Sequence, residues 1–386
     1  MPDTLTQIEV VTRRFIDTDP DLKDLVFNRD PLMSFNEANC LQEIDAGSSW
    51  NDNVEYDVQD GGSYSKGQDL PADQRQIEQQ LRFNPSYQTV LITFFKEDIK
   101  VLNANGPERV VDFATERTQS AMMQLGAQTA IQSWLEGYNA QYVRCVNGLT
   151  EAISDGTNVG WLNTTYPVYG TLTRSIYGGR MISPTPYNFA GANISVPQME
   201  SMYQSVNYGS GPYEPNIIMT TPIGQGNIRN NFQTQQLFQD VKTANGGFRG
   251  LAYNGAVILA SRYCPGSYLM NAAPAGGPFS GPGTNDRVAV RYLTYSGINN
   301  GVYPTPSTMT NTINSATVYG ETIWFLNARK PHIKYRISKN PPYNGSLDDD
   351  GFIPSAGSTR IVGKVLLAHN YSILPGYHTY GFNFVG

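Results

Sequence analysis

The sequence predicts an α+β fold. Helical and strand-like segments follow one another irregularly, without the regular strand–helix–strand order of a parallel α/β domain. One segment of about thirty residues, from Pro107 to Glu136, has the apolar spacing of a single long helix. Two strand-like segments are joined by about twenty polar, glycine-containing residues, a pattern that predicts an extended two-stranded finger.

Composition favours a protein that makes many protein–protein contacts. Only 16% of the 386 residues are charged, whereas 24 are tyrosines. Tyrosine combines apolar area with one polar tip and is enriched at interfaces. A secreted all-β protein rich in Tyr and Asn would fit the same composition. The net charge of −6 provides no bulk basic field with which to grip nucleic acid.

The three cysteines, Cys40, Cys145 and Cys264, are far apart and odd in number. They form neither a metal-ligand spacing nor a disulfide framework, so we expect free buried thiols in a reducing compartment. The first residues contain no apolar leader, and no stretch reaches about 18 apolar residues. The chain is therefore expected to be made and used in a cytoplasm, with no membrane partner.

Residues 1–50 are predicted to form an irregular arm with short helical pieces. Val54 to Val58 alternates apolar and polar residues and is predicted to be a strand. The chain returns at Leu81, and Tyr87 to Phe95 is a second strand-like run, which together predict a finger from Glu55 to Ile92. An isolated two-stranded hairpin is marginally stable in water, so we expect the finger to lie on another surface.

The long helix has clear end signals. Pro107 suits the first helical position, and Gly137 can end the helix. Thirty residues would give a rod of about 45 Å, which needs a sheet or a neighbour along much of its length.

The remaining chain mixes short elements. Ser195 to Val206 is predicted to be a short capped helix, and Pro215 to Thr220 a buried strand followed by a polar helix. The other predictions are strands at 256–260, 321–327, 332–337, 360–368 and 376–385, and a Gly/Pro-rich insertion at 265–318 with one strand at 287–293.

Motifs that could carry chemistry are incomplete. Gly224-Gln225-Gly226 lacks the third glycine of a dinucleotide loop, because Arg229 stands in its place. Ser63 and Lys66 have the spacing of a serine–lysine pair but lie in a glycine-rich loop without its partner motifs. Asp348 to Asp350 lacks the closing glutamate of a calcium loop. We therefore expect no enzyme activity, no catalytic residues, no metal and no cofactor.

The order of elements resembles the HK97-like major capsid proteins of tailed double-stranded DNA phages. In that family an N-terminal arm precedes an extended E-loop hairpin, a long spine helix, an axial domain and a return to the peripheral domain. Short phrases are also similar to family phrases: Asn147-Gly148-Leu149, Tyr169 to Ser175, Pro215 to Pro222, Glu321 to Asn327 and Gly363 to Leu367.

The resemblance implies a division of the chain into an arm (1–50), an E-loop with flanking strands (51–96), a peripheral domain (97–150) with spine helix 107–136, an axial domain (151–340) with insertion 265–318, and a return to the peripheral domain (341–386). It implies hexamers and pentamers that close into an icosahedral capsid around DNA, without sequence-specific DNA binding. The implied partners are other copies, a separate scaffolding protein, a portal and a cement or decoration protein. The implied location is the virion capsid, assembled in the host cytoplasm.

The resemblance also implies which residues make contacts. The intersubunit contacts expected of the E-loop are Tyr56, Tyr64, Lys66, Gln68, Arg75 and Phe83; the residues singled out on the spine helix are Pro107, Arg109, Arg117 and Trp134. Some family members cross-link a finger lysine, and Lys66 is suitably placed, but the sequence identifies no partner. An encapsulin-like compartment shell and a Tyr/Asn-rich β-protein that binds or cleaves glycans remain as alternatives.

Overall fold

The computed structural model describes residues 30–45, 47–57, 62–67, 76–97, 107–134, 146–158, 165–209, 211–232, 240–242, 249–261, 263–264, 321–340, 343–347, 352–354 and 360–384. Within these ranges the fold is α+β, as predicted, with two large sheets of six and seven strands. The predicted arm before residue 30, the insertion at 265–318, Cys145 and Asp348 to Asp350 lie outside the described residues.

Six α-helices occur in the described residues: α1 Pro31–Cys40, α2 Pro107–Gln132, α3 Leu149–Ala152, α4 Arg174–Tyr177, α5 Val196–Ser205 and α6 Pro222–Phe232. The strands are β1 Leu41–Ile44, β2 Trp50–Glu55, β3 Glu78–Phe83, β4 Ser86–Phe95, β5 Val168–Tyr169, β6 Leu172–Thr173, β7 Tyr187–Asn188, β8 Ile217–Thr220, β9 Asp240–Lys242, β10 Arg249–Tyr253, β11 Ala256–Ala260, β12 Glu321–Leu326, β13 Ile333–Ser338, β14 Asn344–Leu347, β15 Ile353–Pro354, β16 Arg360–Ile373 and β17 Thr379–Phe384. None of these helices is both long and apolar enough to cross a membrane.

The first sheet is built around β16. This 14-residue strand pairs antiparallel with β4, β13, β14 and β15, while β1 pairs in parallel with β13. One face of β4 is buried against α2, because Val90, Ile92 and Phe94 point inward in strict alternation. α1 packs next to β13 and contributes Leu32 and Met33 to the same core.

The second sheet has the strand order β7-β17-β12-β8-β11-β10-β9. Its central strands β8 and β12 are buried along their whole length, the pattern of strands covered on both faces. The two sheets share one core, since Trp324 of β12 lies 5.3 Å, ring centre to ring centre, from Trp134 at the end of α2.

Helix ends follow from local chemistry. α5 is capped as predicted, and the cap is a capping box: Gln198 Oε1 accepts from the backbone N–H of Ser195, and Pro197 occupies the first turn. α2 begins at Pro107 as predicted but ends at Gln132. The carbonyl of Ser133 accepts from the N–H of Leu149, 2.8 Å away, so the start of α3 takes the place of another turn of α2.

The finger differs from its prediction at both ends. Its first strand runs from Trp50 to Glu55, not from Val54 to Val58. Every second side chain of this strand, including Trp50 and Val54, points inward. Its second strand ends at Phe83 and does not continue to Ile92. Asn84-Pro85 follows, and a proline cannot donate to a strand ladder. β4 then pairs with β16 instead.

Strand pairing does not follow the predicted domain boundaries. β13 and β16 pair across the boundary placed at residue 340, and β17 lies in the second sheet beside β12. Residues 31–44, predicted to belong to an irregular arm, form α1 and β1 inside the body of the subunit. Leu32, Met33 and Cys40 are buried there, and this burial favours the ordered elements. The domain division itself remains a prediction.

Cys40 and Cys264 are free and buried, as predicted. Burial raises the pKa of Cys40 to about 12, so its thiol stays protonated and unreactive.

Candidate assembly surfaces

The first candidate surface is the hairpin, defined as β2, β3 and residues 56–77 between them. β2 and β3 form their own two-stranded sheet, in which Trp50 faces Phe83 and Asp52 faces Leu81. The inner face buries Trp50, Val54, Leu81 and Phe83 against the subunit. The outer face is polar, so the root of the hairpin is fixed and its free side is hydrophilic.

Phe83 belongs to the interior of the subunit. Only 3% of Phe83 is exposed, and its ring centre lies 5.2 Å from that of Tyr169. Gly170 makes this close approach feasible: a Cβ there would lie 2.8 Å from Phe83 Cζ, and its φ is +54°. The expectation that Phe83 contacts another subunit was therefore wrong, because the alternation of β3 turns its ring inward.

The next part of the hairpin continues the ladder. The N–H of Tyr56 donates to the carbonyl of Ile77 at 2.9 Å, and the Tyr56 hydroxyl donates to the carbonyl of Gln76 at 2.7 Å. The Tyr56 ring meets Tyr177 edge-on at 5.0 Å. Tyr56 therefore contacts its own subunit while remaining half-buried.

The loop residues predicted to touch a neighbour are exposed where they are described. Tyr64 is 65% exposed, and Lys66 is exposed beside a turn at Gly67. Gln68 and Arg75 lie outside the described residues. The contact roles of Tyr64 and Lys66 remain predictions.

The residues singled out on the long helix divide into two groups. Pro107 and Arg109 lie in the first turn of α2, where only the backbone is described, and Arg117 is on the exposed side. Trp134 lies beyond the end of α2 and is 1% exposed, packed against Trp324. The long helix was predicted to include Trp134, but it ends at Gln132, and the indole fills the junction between α2 and the second sheet.

The second candidate surface lies on the first sheet, on the face opposite α2. We call it the outer sheet face; it consists of Tyr87, Leu91, Thr93 and Phe95 of β4, Arg360, Val362, Lys364 and Leu366 of β16, and the neighbouring Tyr343 and Ile353. Large apolar groups are exposed there: Tyr87 is 63% exposed and Phe95 45%. Clustered exposed apolar groups are typical of surfaces that contact another molecule.

The charges on the outer sheet face are positive. Among the β4 and β16 residues that form it, only Arg360 and Lys364 are charged, and Arg360 lies over the Phe95 ring at 6.0 Å. Tyr87 and Tyr343 form an edge-on pair at 5.6 Å. This surface was not predicted from the sequence. Its signal was that β4 is apolar at both odd and even positions, as expected of a strand covered on both faces.

The described residues of the incomplete sequence motifs lie in a packed helix start and in an exposed loop. No group of three His, Cys, Asp or Glu side chains in the described part of the chain could hold a metal ion. Gly224 lies in the first turn of α6, where a Cβ would come 2.9 Å from Phe384 Cζ. Close packing therefore explains this glycine. Ser63 and Lys66 are both exposed in the loop of the hairpin.

All three histidines are buried. Burial lowers the pKa of His369 and of His378 to about 3, and it also lowers the pKa of His332. In the opposite direction, burial raises the pKa of Asp30 to about 6.

We predict that acidification destabilises the subunit. Below pH 6.5, His369 and His378 bind protons in the unfolded chain but not in the folded one. Their contribution to the free energy of unfolding is therefore fully present above pH 6.5 and is lost as the pH drops toward 3. Asp30 opposes this below pH 6, because its folded carboxyl binds a proton before the unfolded one does. Two histidines against one aspartate leave a net loss of roughly 2 kcal/mol between pH 7 and pH 5. Urea unfolding at both pH values measures this; an unchanged or higher midpoint at pH 5 would contradict it.

No protein-family model matches the chain, and no curated protein sequence matches it. Solved structures do match it along nearly its whole length. The capsid of cyanophage A-1(L) aligns with a TM-score of 0.57 and 10% identity, covering 92% of this chain and 93% of that chain. The head of Helicobacter pylori bacteriophage KHP40 aligns with a TM-score of 0.52 and 11% identity, covering 92% and 91%.

The SrpI encapsulin of Synechococcus elongatus also aligns, with a TM-score of 0.48 and 10% identity, covering 90% of this chain and 86% of that chain. The two phage structures show the fold: this chain has the HK97-like fold that its order of elements predicts.

Proposed function

We propose that this chain is the structural subunit of an icosahedral phage capsid, forming hexamers and pentamers around double-stranded DNA, and that it is not an enzyme. The observation that carries this proposal is the shared fold with two phage head structures over 92% of the chain. The exposed apolar area of the outer sheet face supports it, because that area is suited to contact with a neighbour.

In this proposal the hairpin is the E-loop and α2 is the spine helix. The hairpin root is fixed by its buried inner face, whereas Tyr64 and Lys66 are exposed, which suits a loop that reaches a second copy. α2 stiffens the first sheet from the opposite side. The peripheral and axial regions then correspond broadly to the first and second sheets.

Charge complementarity supports a specific contact. Residues 56–77 contain four aspartates against one lysine and one arginine, whereas the charged residues of β4 and β16 on the outer sheet face are Arg360 and Lys364. A loop of negative charge is attracted to a positive apolar surface. We therefore place the loop of one copy on the outer sheet face of the next. A contact of this head-to-tail kind closes into rings.

The further partners in this proposal are a separate scaffolding protein, a portal and a cement or decoration protein. The DNA is enclosed without base-specific contacts, consistent with a net charge of −6. The subunit assembles in the host cytoplasm and resides in the virion. Covalent locking through Lys66 is not required, because the outer sheet face offers a non-covalent contact.

Replacing residues 58–75 by Asn-Gly is expected to abolish shells while leaving the subunit folded. The retained residues Tyr56 and Ile77 are already hydrogen-bonded across the hairpin, so a two-residue turn can join the strands. Electron microscopy reads out shells, and urea unfolding reads out the subunit. Normal shells from the shortened chain would contradict the proposed role of the hairpin.

A charge reversal locates where the loop binds. Lys364→Glu on the outer sheet face is expected to weaken assembly strongly, with an effect that diminishes at high salt. Lys339→Glu is the matched control, since the Lys339 side chain is 62% exposed and its ionic partner, Asp45, lies outside the outer sheet face. Equal effects of the two reversals would show that the outer sheet face is not the binding surface.

A further inference from the structure

A buried aspartate lies at the root of the hairpin. Asp52 is on the inner face of β2 between Trp50 and Val54, and it is 9% exposed. A carboxylate among apolar neighbours is costly unless charged or hydrogen-bonding groups receive it. The first sheet provides those groups.

Three side chains from two strands receive the Asp52 carboxylate. Lys334 Nζ lies 2.5 Å and Arg336 Nη2 3.6 Å from Oδ1, and the Ser372 hydroxyl donates to Oδ2 at 2.8 Å. Lys334 and Arg336 are two positions apart on β13, and Ser372 is paired with Lys334 on β16. All three therefore project from one face of the first sheet, the face that the hairpin root covers.

Two neutral hydrogen bonds join the hairpin to neighbouring segments: the N–H of Arg82 donates to the carbonyl of Gly170 at 2.9 Å, and Gln79 Nε2 donates to the Tyr177 hydroxyl at 3.2 Å. Neutral hydrogen bonds are weaker than charge-assisted ones. Within the described residues, β2 and β3 share no sheet pairing with the first sheet. Arg180 and Glu55 form an ion pair at 3.1 Å, but both side chains are nearly half exposed, and such pairs contribute little. Apolar burial is non-directional. A charge-assisted contact to three fixed donors is directional.

The cluster also depends on Asp52 for its charge balance. One carboxylate serves two cations, and Arg336 is 4% exposed. Arg336 Nε donates to Gln42, while its Nη1 has no hydrogen-bond partner in the described part of the chain. Burial lowers the pKa of Arg336, and the charge of Asp52 opposes that shift. Without Asp52, the buried Arg336 and the partly exposed Lys334 would be two cations with no carboxylate between them, which disfavours close packing of the hairpin root on the sheet.

We propose that Asp52 is the positioning residue that sets the angle at which the hairpin leaves the subunit, and thereby where its loop reaches a second copy. The second half of this inference rests on the proposed capsid function. The first half concerns the isolated subunit alone.

The test compares three variants of the full chain. Asp52→Asn keeps the shape of the side chain but removes its charge, and Asp52→Glu keeps the charge. Glu55→Gln is the matched control, because it removes a carboxylate from the same strand at an exposed position. Hydrogen–deuterium exchange of the subunit and electron microscopy of assembled particles are measured for each variant.

We expect amide exchange in residues 50–56 and 77–83 to accelerate at least tenfold in Asp52→Asn, with β8 and β12 unchanged. Closed shells should be replaced by open or irregular particles. Asp52→Glu should restore protection in part, and Glu55→Gln should resemble the unmodified chain. If Asp52→Asn is insoluble, Asp52→Asn with Lys334→Gln removes the excess positive charge and should still show fast exchange in the hairpin.

Two outcomes overturn the inference. One is that Asp52→Asn accelerates exchange equally in the hairpin and in both large sheets, which would make Asp52 a general stabiliser. The other is that exchange in the hairpin is unchanged in Asp52→Asn or in the double variant with Lys334→Gln. Failure of the proposed function is read separately. If the unmodified chain forms no shells while Asp52→Asn loosens only the hairpin, the capsid function fails and the positioning role of Asp52 stands.

Discussion

Replacing Trp134 by alanine is expected to lower the free energy of unfolding by about 4 kcal/mol, the usual range for a buried tryptophan. Trp134 is 1% exposed, and its ring lies 5.3 Å from Trp324, which in turn stacks on Tyr380 at 4.2 Å. The three rings connect the end of α2 to the second sheet. A cavity at this junction would weaken both sheets at once, and urea unfolding followed by circular dichroism measures the loss.

Two variants make that experiment selective. Trp134→Phe should cost much less, because it keeps most of the apolar volume and removes an indole N–H that has no hydrogen-bond partner in the described residues. Met123→Ala, on the exposed side of α2, should change stability by less than about 0.5 kcal/mol. A loss below about 1 kcal/mol for Trp134→Ala would show that the indole does not fill the core.

Replacing Arg174 by methionine is expected to destabilise the subunit by about 3 kcal/mol. The buried guanidinium donates to three backbone carbonyls: Tyr166 at 2.9 Å, Met181 at 2.8 Å and Glu151 at 2.7 Å. Its carbon also lies 5.0 Å from the centre of the Tyr169 ring. Methionine fills the space but removes the three hydrogen bonds that the guanidinium donates. Removing the buried cation also removes the free-energy penalty of its desolvation, so the net loss of stability is smaller than the sum of three hydrogen bonds.

Arg174→Lys separates charge from geometry. A lysine ammonium is a compact donor and cannot span three carbonyls that a planar fork reaches together, so we expect an intermediate loss. Arg180→Met is the control, because Arg180 forms an exposed ion pair with Glu55, and such a pair contributes less than about 1 kcal/mol. If Arg174→Lys is as stable as the unmodified chain, the planar guanidinium is not needed to hold the three carbonyls, and this role is contradicted. Urea unfolding measures all three variants.

Local signals predicted the elements whose chemistry is contained in a few neighbouring residues. The strand Ala256–Ala260 is an apolar run between turn residues, and the start of α5 is visible as Ser195 followed by Gln198. Pro107 marked the start of α2. These features need no distant partner, so sequence reasoning can find them.

The sequence did not predict which strands pair when they are far apart in the chain. Nothing in Tyr87 to Phe95 indicates that this run pairs with β16 and not with the finger, since both choices bury the same alternate residues. β17 resembles a continuation of β16 but joins the second sheet. A choice between partners depends on total burial across the fold, which no local window contains.

The candidate site shows the same division. Tyr64 and Lys66 are exposed in a polar loop, as their neighbours in the sequence suggested. Phe83 was assigned to the wrong side because the register of Trp50 with Phe83 was unknown. Asp52 was overlooked, because a single aspartate in a strand has no motif; only the folded arrangement brings Lys334 and Arg336 to it.

The place of β16 in the chain has a consequence for synthesis. Gln88 of β4 and His369 of β16 touch in the fold but are 281 residues apart. At ribosomal speed β4 therefore waits more than about ten seconds for its partner, with apolar residues on both faces. Four of the ten residues of the outer sheet face belong to β16 itself, so nascent chains cannot display the complete surface. Copies still on the ribosome are thereby kept from engaging one another through this surface before translation is nearly complete.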